Sequence, residues 1–137
     1  MSATQKIWDP LRRKLVSLTP EERVRQWMVG VLEEGAKVPR HQMMSEVEMH
    51  SGAGEKTWRA DILVYGRGGE PIAVVECKRP EVELDAVVLE QALRYNTVLG
   101  VRCIIITNGR ETRLFVRRGE AWQGADHFLT YKEMLAI

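Results

Sequence analysis

The chain has 137 residues and a mass of 15.7 kDa, with 45% apolar and 28% charged side chains. That length supports one hydrophobic core, which excludes a motor or clamp beside a catalytic module and predicts a single domain over residues 1–137. Twenty Lys and Arg against nineteen Asp and Glu leave a formal charge of +1, excluding a global field that would draw the protein to nucleic acid or a membrane.

Up to Leu18 the chain mixes bases with Ile7, Trp8, Leu11, Leu15 and Val16, and reads as an irregular arm or a short helix. Thr19-Pro20-Glu21-Glu22 then forms a capping box, with Thr19 as N-cap, Pro20 at the first helical position and Glu22 reaching back. Val24, Trp27, Met28, Val31 and Leu32 follow at helical spacing, so Trp27 is expected in the core, and Gly35 ends the helix. From His41 the period becomes two. Strands are expected at 42–50 and 57–65 with a polar turn at 51–56, then a glycine-rich hairpin turn at 66–69 and a third strand at 71–77. Residues 82–99 read as a helix burying Val88, Leu89, Ala92, Leu93 and Leu99. The nearly pure apolar run 101–107 suits a strand covered on both faces in a partly parallel sheet. Asn108-Gly109 turns into a strand at 112–116, and a short helix closes the chain at 131–136. The order is α-β-β-β-α-β with an added C-terminal strand and helix, an α/β fold with a mixed sheet flanked by helices.

Cys77 and Cys103 lie in apolar strand-like runs without metal spacing, so two reduced, buried thiols in a cytoplasmic protein are expected. No secretory leader pattern is present, and the apolar runs are too short to span a bilayer.

The hairpin carries the chemistry. A two-residue turn at Gly68-Gly69 puts Arg67 opposite Glu70, Tyr65 opposite Ile72, and Asp61 opposite Glu76. Opposed carboxylates lie about 5 Å apart and repel one another, so the pair needs a reason, and a divalent cation bound between them supplies one. Mg²⁺ fits, since it is held by one or two carboxylates together with water and phosphate oxygens. Strand alternation places Lys78 on the same face as Glu76 and turns Cys77 away. An ammonium there can orient or deprotonate water, or neutralise charge on a phosphorane-like transition state. The plainer alternative is a surface salt-bridge network at a sheet end.

Ala60-Asp61…Glu76-Cys77-Lys78 resembles the D…(D/E)xK motif of the PD-(D/E)xK nuclease superfamily. Together with Arg59-Ala60-Asp61-Ile62-Leu63-Val64-Tyr65 and the later Gln91-Ala92-Leu93-Arg94-Tyr95, it is similar to the N-terminal nuclease domain of type I restriction enzyme R subunits. The resemblance covers about residues 19–116. It implies a restriction-endonuclease-like core that cuts DNA with Mg²⁺, for which Mn²⁺ can substitute. Asp61 and Glu76 would be metal ligands with the Cys77 carbonyl as a third, and Lys78 the catalytic lysine. Gln91 and Tyr95 would contact the DNA backbone or position the site. Glu22 would be the first-helix acid near the metal, in addition to its cap role. The proline that usually precedes the aspartate is Ala60 here. R subunits also carry helicase motors that 137 residues cannot hold. A homodimer, or a larger restriction or helicase assembly, would supply the missing grip on DNA. The alternative is a nuclease-like module that binds DNA or a partner without cutting.

Arg113, Arg117 and Arg118, with Arg110, are the sequence candidates for duplex backbone contact, ahead of Arg12, Arg13 and Lys14. Glu46 and Glu48 read as the wet side of an edge strand. His41, His50 and His127 lack zinc spacing, and the glycines at 66–69 precede a strand and not the helix that a phosphate loop requires.

Overall fold

A computed structural model describes residues 5–50 and 57–137; the polar turn expected at 51–56 lies outside the described residues. The N-terminal segment is neither arm nor helix but a hairpin, β1 (Lys6–Asp9) antiparallel to β2 (Lys14–Ser17). Asp9 builds its turn, accepting from the Leu11 amide at 2.9 Å through Oδ1 and from the Arg13 amide at 2.7 Å through its carbonyl. Strands this short, interrupted by charge at 6, 9 and 12–14, leave no readable alternation.

Helix α1 (Pro20–Gly30) is capped by Thr19, whose Oγ1 accepts from the Glu22 amide at 3.0 Å. The reciprocal half of the capping box is missing, because the Glu22 carboxylate is taken by Arg12, Arg25 and Gln26. A π-turn, Val31–Gly35, prolongs the helix to the expected glycine. Its buried face runs through Glu22, Val24, Arg25, Met28, Val29 and Leu32, leaving Trp27 47% exposed and not in the core. The charged residues on that face have partners elsewhere in the chain, which rotates the buried stripe away from the purely apolar one.

Six further strands form one open mixed sheet in chain order: β3 (Met43–His50), β4 (Thr57–Tyr65), β5 (Pro71–Cys77), β6 (Cys103–Thr107), β7 (Thr112–Arg118) and β8 (Ala121–Gly124). Only the β5–β6 pairing is parallel, and α2 (Ala86–Thr97) makes that crossover. Helix α2 is N-capped by Asp85, whose Oδ1 accepts from the Val88 amide at 2.9 Å, so it starts at Ala86, four residues later than the sequence pattern suggests. Strand β8 was not foreseen; it is a four-residue edge strand with mostly exposed side chains. Helix α3 (Tyr131–Leu135) closes the chain with its own capping box.

Two cores sandwich the sheet. On one side Val24, Met28 and Leu32 of the first helical run and Tyr131 and Met134 of α3 pack against Ile62, Val64, Val75 and Ile105. On the other, Ala92 of α2 packs with Leu63, Val74, Ile104 and Ile106. Strand β6 is buried throughout, which accounts for its uninterrupted apolar sequence.

Candidate active site

The β4–β5 hairpin sets the site through two offsetting irregularities. Gly66 donates its amide to Glu70 O at 2.7 Å and Gly69 donates to Gly66 O at 3.0 Å, with Gly69 at φ 85°. This is a three-residue loop with a left-handed glycine, one residue longer than the expected Gly68-Gly69 turn. Glu70 therefore faces Gly66 and not Arg67, and Tyr65 pairs with Pro71 and not Ile72. A bulge at Ile72 absorbs the extra residue, and the ladder resumes at Val64↔Ala73 and Ile62↔Val75, the expected register. Asp61 and Glu76 come next in that register, where Asp61 Oδ2 accepts from the Cys77 amide at 2.7 Å.

Asp61 is largely buried, and its other oxygen accepts from Arg25 Nη2 at 2.9 Å. Burial pushes its carboxyl above the ordinary value, and the Glu46 charge adds to this against the lowering pull of the Cys77 amide and Arg25. Burial likewise raises Glu21, followed by repulsion from Asp61. Carboxyls perturbed in this way within a cleft mark a candidate functional site. Glu46 does not stay on the wet side of β3 beside the exposed Glu48. It bonds Arg25 Nη2 at 2.6 Å, and its backbone at φ 54° reverses the alternation of the strand. Ser45 thus packs on the α1 side while Val47 packs on the α2 side.

Glu76 and Lys78 share a face, as alternation requires, with Lys78 Nζ on Glu76 Oε2 at 2.7 Å. The Cys77 thiol points the opposite way into the α1 core. The Lys78 amide donates to Thr107 O at 2.8 Å, extending the parallel pairing past the end of β5. Glu76 Oε1 accepts from Asn96 Nδ2 at 2.9 Å, and that buried amide also donates to Ala92 O at 2.8 Å. Asn96 had no place among the sequence candidates. Its signal was a polar residue four positions after Ala92, within the buried stripe of α2.

A cleft of about 580 Å³ opens over these groups. Glu21, Asp61, Glu76 and Lys78 line it together with Gln91 and Tyr95 of α2, and Arg59 and Arg79 stand at its rim. Tyr95 Oη accepts from the Arg59 amide at 3.0 Å, leaving the hydroxyl proton free to donate. Glu22 is not on the cleft wall. Its carboxylate is a buried pivot between Arg12 (2.7 Å) and Arg25, and Arg12 continues to Asp9, so Glu21 is the α1 acid that reaches the cleft.

The arginines of β7 do not form one patch. Arg113 lies level with Glu76 two strands away, since both pair with Ile106, and its side chain is held by Glu111 at 2.8 Å. Arg117 and Arg118 stand beyond Val116 at the other end of the sheet, where Arg118 borders a separate cavity with His127 and Glu133.

The open mixed sheet, with Asp61 and Glu76 at adjacent strand ends and a helix bearing Gln91 and Tyr95 facing them, is a nuclease-like α/β fold. The chain belongs to the family described as type I restriction enzyme R protein N terminus (HSDR_N), whose pattern matches residues 20–127. Among solved structures it is similar to a fragment provisionally assigned as an HsdR subunit of a type I restriction enzyme from Vibrio vulnificus YJ016. That match has a TM-score of 0.63 and 24% identity over 87% of this chain, which spans 25% of the fragment. A protein provisionally assigned as a nuclease of the DUF820 group from Anabaena variabilis ATCC 29413 matches with TM-score 0.49 and 14% identity over 96% of this chain and 89% of its own. No curated protein matches the chain. No helix among the described residues is long and apolar enough to cross a membrane.

Proposed function

We propose that the chain is a nuclease module that hydrolyses DNA phosphodiester bonds with Mg²⁺, in the cleft between Glu21 of α1 and the Gln91–Tyr95 face of α2. The observation that carries this reading is the meeting of Asp61, Glu76 and Lys78 from adjacent strand ends in one cleft. Family membership supports it, since type I restriction enzymes give the family its description.

Among the described residues no group of three or more His, Cys, Asp or Glu side chains is placed to hold a metal ion by itself, so the proposed site rests on two carboxylates and a backbone carbonyl. Two hard carboxylates and a carbonyl suit Mg²⁺, which keeps several waters and takes its remaining oxygens from phosphate. Asp61, Glu76 and the Cys77 carbonyl would hold it. When bound, such an ion makes water a stronger nucleophile and stabilises the leaving oxygen.

The chain's own residues do the rest. Lys78, 35% exposed beside Glu76, can bind the scissile phosphate or hold a proton of the attacking water. The Tyr95 hydroxyl and the Gln91 amide face the same space as phosphate donors. Beyond Lys78, Arg59 and Arg79 are the cations that line the cleft, ahead of Arg113, and Arg117 and Arg118 would reach only a long duplex. Because the chain spans a quarter of the HsdR fragment it resembles, work within a larger restriction-type assembly or as a dimer, in the cytoplasm, belongs to the same proposal.

Cleavage of a labelled duplex with Mg²⁺ or Mn²⁺ tests this. Lys78→Ala is expected to cut about 100-fold or more slowly than wild type. Equal rates would sink the mechanism, and salt-dependent binding without turnover in any divalent metal would mark a non-cleaving binding module.

A further inference from the structure

Carboxylates enclose the guanidinium of Arg25. Its side chain is 5% exposed, with Glu22 at Nη1 and Glu46 (2.6 Å), Asp61 (2.9 Å) and Glu21 (3.6 Å) at Nη2. The acids come from α1, β3 and β4. Glu46 stands opposite Asp61 at the one unpaired step inside the β3–β4 ladder, and it does so in left-handed backbone at φ 54°. A residue with a Cβ occupies that region at a cost that its surroundings must hold. Arg25 Nε is buried with no hydrogen-bond partner among the described residues, which is a second cost. Both costs serve one arrangement. Nη2 is held between Glu46 and Asp61 Oδ1, while the Cys77 amide holds Asp61 Oδ2 at 2.7 Å.

We propose that Arg25, anchored by Glu46, is the positioning residue of the cleft: it fixes the Asp61 carboxylate towards the divalent cation and offsets the charge of the acids around it. The role rests on the nuclease reading above. Arg25 does not line the cleft and so acts through the cleft acids it touches, Asp61 at 2.9 Å ahead of Glu21 at 3.6 Å. With a fixed donor on each oxygen the carboxylate cannot rotate, and its remaining lone pairs meet a cation in one geometry. A lysine at this position would keep the charge but lose the planar fork that serves Glu22, Glu46 and Asp61 together.

Titration calorimetry of the full chain with Mn²⁺ alone, without DNA, reads this role. Arg25→Lys is expected to raise the Mn²⁺ dissociation constant about tenfold or more at unchanged stoichiometry, as loss of a partner that orients a metal ligand does. Unchanged stoichiometry separates lost orientation from lost folded protein. In duplex cleavage kcat is expected to fall while KM stays within about twofold, because Arg25 never meets the substrate. If Arg25→Lys does not fold, Glu46→Gln decides, with the dissociation constant expected to rise about threefold or more. Wild-type Mn²⁺ affinity and kcat in the folded variant would overturn the positioning role alone. A wild-type chain that neither binds Mn²⁺ nor cuts DNA would overturn the nuclease reading and this role with it.

Discussion

Asn96 Nδ2 donates to Glu76 Oε1 at 2.9 Å, so a helix residue one position past Tyr95 fixes a strand carboxylate that faces the cleft. Removing the side chain leaves Glu76 Oε1 without its amide donor, with only Lys78 remaining on the carboxylate. Asn96→Ala is expected to cost about 1–3 kcal/mol in denaturant unfolding, with a further drop in cleavage rate. Asn96→Asp should be worse, since it sets a second carboxylate against Glu76. Unchanged stability and rate in both variants would contradict the assignment.

The placement of the arginines separates two groups of variants. Arg59→Ala and Arg79→Ala, at the rim of the cleft, are each expected to weaken DNA binding and lower the salt slope by about 1. Arg117→Ala and Arg118→Ala, at the far end of the sheet, should leave cleavage of a short duplex unchanged. Binding isotherms at several salt concentrations distinguish the two groups. Equal losses in both would show that β7 shares the grip with the cleft rim.

The thiols give a chemical check on burial. Cys103 is pushed up to about 12 by desolvation, and Cys77 is raised well above its ordinary value by burial and next by the Asp61 charge. The thiolate is the reactive form, so neither residue should react with iodoacetamide in the native protein at mildly alkaline pH. Both should react on unfolding. Fast native labelling at either position would contradict the packing of β5 and β6.

His127 links the cavity beside α3 to pH. Its ring bonds Asp126 at 2.6 Å and Glu133 at 2.8 Å, and these two carboxylates, Asp126 first, raise its pKa above the ordinary 6.5. A histidine raised on folding stabilises the protein fully below its unfolded pKa, and the contribution is lost as pH rises through the folded value. The Tm advantage of wild type over His127→Gln should therefore be present at pH 6 and vanish as pH rises past the folded pKa read by NMR titration. An imidazole titrating below the ordinary value would contradict the two contacts.

Much of this was legible because short-range physics decided it. Thr19 caps a helix wherever its hydroxyl meets a free amide, and the bounds of β4 and β5 follow from alternation between turn residues. The Asp61–Glu76 register was reached through two one-residue deviations that offset each other, a longer loop and a bulge at Ile72, neither visible in Gly66-Arg67-Gly68-Gly69. What stayed hidden depends on distant partners. Arg25 and Glu22 are buried because Asp61, Glu46 and Arg12 meet them, and no local periodicity announces a contact across 36 residues. Trp27 was displaced to the surface by that same rotation of α1.

In the proposed reaction Asp61 and Glu76 hold a divalent cation that cutting requires. Cleavage of a labelled duplex by wild type and Asp61→Asn, each with Mn²⁺ and with EDTA, tests it most directly. Wild type is expected to cut with Mn²⁺ only, and Asp61→Asn in neither condition although it remains folded and binds DNA. Cleavage that persists in EDTA, or that proceeds at the wild-type rate in Asp61→Asn, would contradict it.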